Sequence, residues 1–67
     1  MKKLINFGDF LKEVRARKGV SQTKLMEVTG VSRQTISNIE NGYNECYLET
    51  ANKLSEGLGY KILFVEK

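Results

Sequence analysis

Apolar residues recur along this chain at helical spacing in four places. Phe7, Phe10, Leu11 and Val14 stand at i, i+3, i+4 and i+7, the single stripe of a helix that runs to about Lys18. Asn6 is placed to cap its start, Asp9 lies near the positive end of its dipole, and Gly19 follows its end. A second helix over residues 22–29 turns Leu25 and Val28 inward, with Met26 at the margin. The third, over 33–41, buries Ile36 and Ile39, and Val31 fills the turn before it. The fourth starts near Tyr47 or Leu48 and ends at about Gly57, with Leu48, Ala51, Leu54 and Leu58 in register.

The second and third helices are each introduced by a serine, Ser21 and Ser32, whose hydroxyl can accept from backbone N–H groups two or three residues on. Gly30 lies between them, where the chain must reverse, and Asn41-Gly42 reads as a stop. Isolated helices below about 12–15 residues are marginal in water. The stretch 21–42 therefore depends on the rest of the chain for support.

After Gly59 the pattern changes. In YKILFVEK (60–67) four consecutive apolar residues, mostly β-branched or aromatic, read as a strand. Tyr60, Ile62 and Phe64 would share one face, Leu63 and Val65 the other. A lone strand is an unpaired edge and needs a partner. The same strand of a second subunit is the favoured partner, because both faces are apolar. Pairing with residues 1–5 (MKKLI), as an N-terminal strand, is the alternative.

Sixty-seven residues make one domain, 1–67, in which only about 60% of the unfolded surface is buried on folding. That leaves room for one core and no deep pocket. A single cysteine, Cys46, forms no disulfide framework and reads as a loop thiol without a role. No apolar run approaches the ~18 residues of a membrane span. A cytoplasmic protein is expected. There is no histidine, Cys46 has no activating neighbour in sequence, and no phosphate loop or metal-ligand cluster is present. Neither an enzyme nor a cofactor or metal is expected. The net charge of +3 is uneven: residues 1–18 carry six basic and two acidic groups, whereas 19–42 carry two of each. On charge alone, contact with a polyanion and plain solubility weigh evenly.

The third helix tips the balance. With Ile36 and Ile39 inward, Arg33, Gln34, Ser37, Asn38 and Asn41 fall on the other side. Such a face is poor in Lys–Glu pairs and rich in side chains that read base edges, Arg for guanine and Gln or Asn for adenine. An α-helix fits the major groove of B-DNA. For any one of these residues a solvated surface is an equal explanation. The serine-capped pair of helices around them favours DNA.

Residues 7–58 resemble the phage-repressor (Xre/Cro) helix-turn-helix family. Arg15, Gly19, Ser21-Gln22, Leu25, Gly30-Val31-Ser32, Thr35-Ile36-Ser37 and Ile39-Glu40-Asn41-Gly42 carry the resemblance. It implies a mainly α fold, a four-to-five-helix repressor-like domain, here closed by a short C-terminal β-strand. It implies that Arg33, Gln34, Ser37 and Asn38 read bases, that Gln22, Thr35 and Asn41 meet phosphates, and that Arg15 and Glu40 form a structural ion pair. Gln22 also corresponds to a residue that buttresses the reading helix. Met26 departs from the alanine usual in the family, and the 43–47 loop lacks a proline. The closing strand is similar to that of antitoxins of persistence-type toxin–antitoxin pairs, which pair across a two-fold. The resulting expectation is a homodimeric transcriptional repressor on a palindromic operator in double-stranded DNA, its reading helices about 34 Å apart. The alternative is an antitoxin that binds a toxin protein and represses its own operon.

Overall fold

The computed structural model describes residues 7–43, 46–63, 65 and 66, and contains four helices among them: α1 (Phe7–Lys18), α2 (Gln22–Thr29), α3 (Arg33–Glu40) and α4 (Leu48–Gly57). Helix α3 packs on α1 and α2, α2 also packs on α4, and α1 touches α4. One core lies between them, built from Phe7, Leu11, Val14, Leu25, Ile36, Ile39, Cys46, Ala51, Leu54 and Leu58. Cys46 lies in the loop between α3 and α4, as expected, but its side chain is part of the core, and burial pushes its pKa above the ordinary thiol value. The expected cap Asn6 and strand 1–5 lie outside the described residues.

Helix ends follow the glycines. Gly19, Gly42 and Gly59 all take positive φ, and the next residue's N–H reaches back to the helix. Val20 donates to the Arg15 carbonyl at 2.9 Å, Tyr43 to Asn38 at 2.9 Å and Tyr60 to Ser55 at 2.8 Å. This bond occupies a carbonyl that the helix itself leaves unpaired. Asn41, expected as the last helical residue, is instead the cap of α3.

Close approaches of backbone set the helices against one another. A β-carbon on Gly8 would collide with the carbonyl oxygen of Ile39, so the start of α1 lies directly on the end of α3. One on Gly57 would collide with the methyl of Thr29, bringing α4 onto the end of α2. Helix α2 accordingly turns Leu25 fully inward with Met26 and Thr29 half-buried, and Val28, expected inside, is 53% exposed. Covered by α3 and α4 together, α2 buries a stripe centred on Leu25 and leaves the Val28 side to solvent. Phe10, at the edge of the α1 stripe, is covered only partly.

The expected C-terminal strand does not form among the described residues. Among the described residues none is in a strand, and Tyr60, Ile62, Leu63 and Val65 follow α4 as irregular chain; Phe64 lies outside the described residues. A strand requires a neighbouring backbone to complete its ladder, and no described segment offers one. Instead the chain is pinned through side chains. The Tyr60 ring meets Phe10 edge-on at 5.5 Å between centroids. The Nζ of Lys18 sits 5.3 Å from the Tyr60 ring centre, and Arg17 donates to its hydroxyl at 3.2 Å. Ile62 packs on the core, whereas Leu63 and Val65 are exposed. The likeness to antitoxins rested on this strand and falls with it.

Candidate nucleic-acid interface

Helices α2 and α3 are fixed at their starts by the two serines. The Ser21 hydroxyl accepts from the Lys24 N–H at 3.0 Å, and Ser32 accepts from Thr35 at 3.1 Å. Gly30 ends α2 in the left-handed region at φ 78°, its N–H donating to the Met26 carbonyl. The Thr29 hydroxyl secures the turn, donating to the Leu25 carbonyl at 2.7 Å and accepting from Val31 N–H at 3.2 Å. Two consecutive helices and the angle between them are therefore set locally.

Helix α3 is then tied down at its far end. Arg15 donates to Glu40 through Nε at 2.8 Å and Nη2 at 2.9 Å, a two-point pairing of guanidinium with carboxylate. Its Nη1 donates to the Val20 carbonyl at 3.0 Å, and Gln22 Nε2 donates to Glu40 Oε1 at 3.1 Å. One buried carboxylate thus joins α1, the start of α2 and the end of α3. Burial pushes the Glu40 pKa up, but the hydrogen bonds from Arg15 and Gln22 and the charges of Arg15 and Lys12 outweigh it, and the pKa lies below the ordinary carboxylate value. The same bond to Glu40 raises the Arg15 pKa against its own desolvation.

With Ile36, Ile39 and Glu40 inward, α3 leaves Arg33 and Gln34 exposed, with Ser37 and Asn38 half-buried beside them. Arg33, Gln34 and Ser37 line a shallow polar concavity that Gln22 closes from α2. Two hydrogen bonds run along this face at i,i+4 spacing. Gln34 Nε2 donates to Asn38 Oδ1 at 3.0 Å, and Asn41 Nδ2 donates to Ser37 Oγ at 3.3 Å. Thr35 lies at the margin, its hydroxyl accepting from Ser32 at 2.8 Å. Donors and acceptors are thus spread over a rigid convex helix of groove-fitting width.

The residues expected to matter fall in two sets. Arg33, Gln34, Ser37 and Asn38 share the outer face of α3, with Asn41 at its exposed end. Arg15, Glu40 and Gln22 meet behind it. The bond from Gln22 to Glu40 has no local pattern in the sequence, because it crosses between helices; the resemblance implied it only as a buttress of the reading helix. The Gln34–Asn38 bond does have one, the four-residue spacing of two carboxamides. Among the described residues no group of three His, Cys, Asp or Glu is placed to hold a metal. No described helix is long and apolar enough to cross a membrane.

Comparison with known proteins agrees with this geometry. The helix-turn-helix family model HTH_3 matches residues 11–65. The chain is 44% identical over 52 residues to the uncharacterised HTH-type transcriptional regulator YgzD of Bacillus subtilis, covering 78% of this chain and 79% of that one. It is 39% identical over 61 residues to the uncharacterised SPbeta prophage-derived HTH-type transcriptional regulator YonR of Bacillus subtilis. That match takes in 91% of this chain but spans only 56% of the length of YonR. Among solved structures, the restriction-modification controller protein C.AhdI of Aeromonas hydrophila superposes with a TM-score of 0.79 at 32% identity, covering 85% of this chain and 86% of that one. The controller C.Esp1396I, solved as a tetramer on its operator, shares the fold with a TM-score of 0.79 at 23% identity, over 84% of this chain and 74% of that one.

Proposed function

The chain belongs to the HTH_3 helix-turn-helix family, and from that premise we propose that it is a sequence-specific DNA-binding transcriptional regulator. The observation that carries the reading is the two-sided character of α3. Its inner side is locked by Ile36, Ile39 and the Arg15–Glu40 pair, and its outer side offers Arg33, Gln34, Ser37 and Asn38. In the major groove Arg33 would address guanine O6 and N7, and Gln34 adenine. Ser37 and Asn38 would add single contacts to neighbouring bases. Gln22, Thr35 and Asn41 flank this face where phosphates pass, and Gln22 keeps one amide hydrogen beyond the one given to Glu40.

The stretch 21–42 has no net charge, with two basic and two acidic residues. Affinity for phosphates therefore rests on flanking groups and on a second copy of the domain, and the protein acts as a homodimer on a palindromic operator. Repression is the proposed outcome, by occupancy of that site in the cytoplasm. Relatives named as transcriptional regulators and the likeness to a restriction-modification controller support the regulatory role. The antitoxin alternative has no observation in its favour without the closing strand.

Selection of bound duplexes from a random library tests the proposal. The expected result is a palindrome with half-sites about 10 base pairs apart, one helical turn. A pool with no enriched sequence would overturn it. On the selected site Gln34→Ala is expected to cost about 1–3 kcal/mol of binding, and little on random DNA. Equal losses on both would remove Gln34 from the base-reading set.

A further inference from the structure

We propose that Asn38 is a positioning residue for Gln34, fixing its carboxamide in the one orientation that matches adenine, so that the two side chains form a single reader. The inference rests on the DNA-reading role of α3 proposed above. Gln34 Nε2 donates to Asn38 Oδ1 at 3.0 Å across one turn of the helix. The carbonyl end of Asn38 can only accept, so this contact holds the nitrogen of Gln34 toward Asn38 and turns its oxygen away.

Orientation matters because a carboxamide has two unlike ends on one planar group. Adenine presents N7 as acceptor and N6 as donor in the major groove. A glutamine matches it with its oxygen at N6 and the amide hydrogen cis to that oxygen at N7. Turned by half a rotation, it sets oxygen against the N7 acceptor and amide against the N6 donor, and both contacts become repulsive. The matched pairing leaves the trans amide hydrogen unused, and that hydrogen is free for Asn38. Holding Gln34 therefore costs the adenine contact nothing and removes the mismatched rotamer.

The second consequence concerns Asn38 itself. Its Oδ1 accepts from Gln34 and keeps one further lone pair. It retains the Nδ2 hydrogens, which suit acceptors only: guanine O6 or N7, thymine O4, or a phosphate oxygen. The backbone of Asn38 is in turn held, its carbonyl accepting from Tyr43 N–H at 2.9 Å.

The test uses the full chain on its selected duplex and on three duplexes changed at the base pair where Gln34→Ala loses its preference. Asn38→Ala is expected to lower the preference for adenine at that same pair by on the order of tenfold. Asn38→Asp keeps an acceptor for the Gln34 amide and is expected to restore the preference, while binding every duplex more weakly because its negative charge faces phosphates. The inference is overturned if Asn38→Ala abolishes a preference at a different pair and leaves the Gln34 pair intact. It is overturned equally if Asn38→Asp is as indiscriminate as Asn38→Ala. If Gln34→Ala changes no base preference at all, base reading by α3 fails first, and the inference with it.

Discussion

Helix α3 and the segment that follows α4 make an instructive pair. Helix α3 has eight residues, of which only Ile36 and Ile39 are apolar, yet both are buried and the charged Glu40 is buried with them. The segment after Gly59 brings Tyr60, Ile62, Leu63 and Val65 in quick succession, yet only Ile62 packs on the core, and Leu63 and Val65 are 71% and 85% exposed. Apolar content does not decide which of the two is fixed. Spacing does, together with a surface to land on. The isoleucines of α3 recur once per turn toward α1 and α2, and its end is tied by Glu40. In the terminal segment Tyr60 meets Phe10 and Ile62 packs on the core, whereas Leu63 and Val65 are exposed.

The comparison breaks most readily at Arg15. Arg15→Ala leaves the Glu40 carboxylate buried without its cation and is expected to cost about 3–5 kcal/mol of stability, a large share of what a domain this size possesses. Loss of DNA binding should be equal on specific and random duplexes, since the whole helix is released. Denaturant unfolding beside binding on both duplexes measures this. An unchanged midpoint would show that α3 is held by its isoleucines alone.

Acid probes the same tie more gently. Because the folded pKa of Glu40 is depressed, its contribution is fully present above the unfolded carboxylate value of about 4.3 and is lost as pH falls through the lower folded value. Below about pH 5, stability is therefore expected to fall more steeply in the wild type than in Glu40→Gln, which is weaker at neutral pH but flatter toward acid. Parallel pH curves for the two proteins would count against the ionised pair.

The smallest effects lie in the terminal segment and sharpen the contrast within it. Ile62→Ser removes a side chain packed on the core and is expected to lower stability by about 1–2 kcal/mol. Leu63→Ser, one residue on, should stay within about 0.5 kcal/mol. Thermal unfolding of the two variants side by side suffices. Equal losses would mean that the segment is covered on both sides.

Much of the fold was legible in the sequence because it is written locally. Apolar spacing placed the four helices of the described residues, since a period of 3.6 residues has one structural meaning. Serines and glycines marked their ends, because an N-terminal hydroxyl acceptor and a left-handed terminal residue answer needs of the helix itself. The outward position of Arg33, Gln34, Ser37 and Asn38 followed from the inward position of Ile36 and Ile39. Tertiary structure alone decided what depends on neighbours. It left Val28 53% exposed and Thr29 half-buried, because α3 and α4 cover α2 on the side of Leu25. It made Cys46 part of the core and joined Gln22 to Glu40 across two helices. Among the described residues it gave the terminal segment no strand, since β-structure requires a second backbone that lies elsewhere in the chain or outside it, whereas a helix completes its own hydrogen bonds.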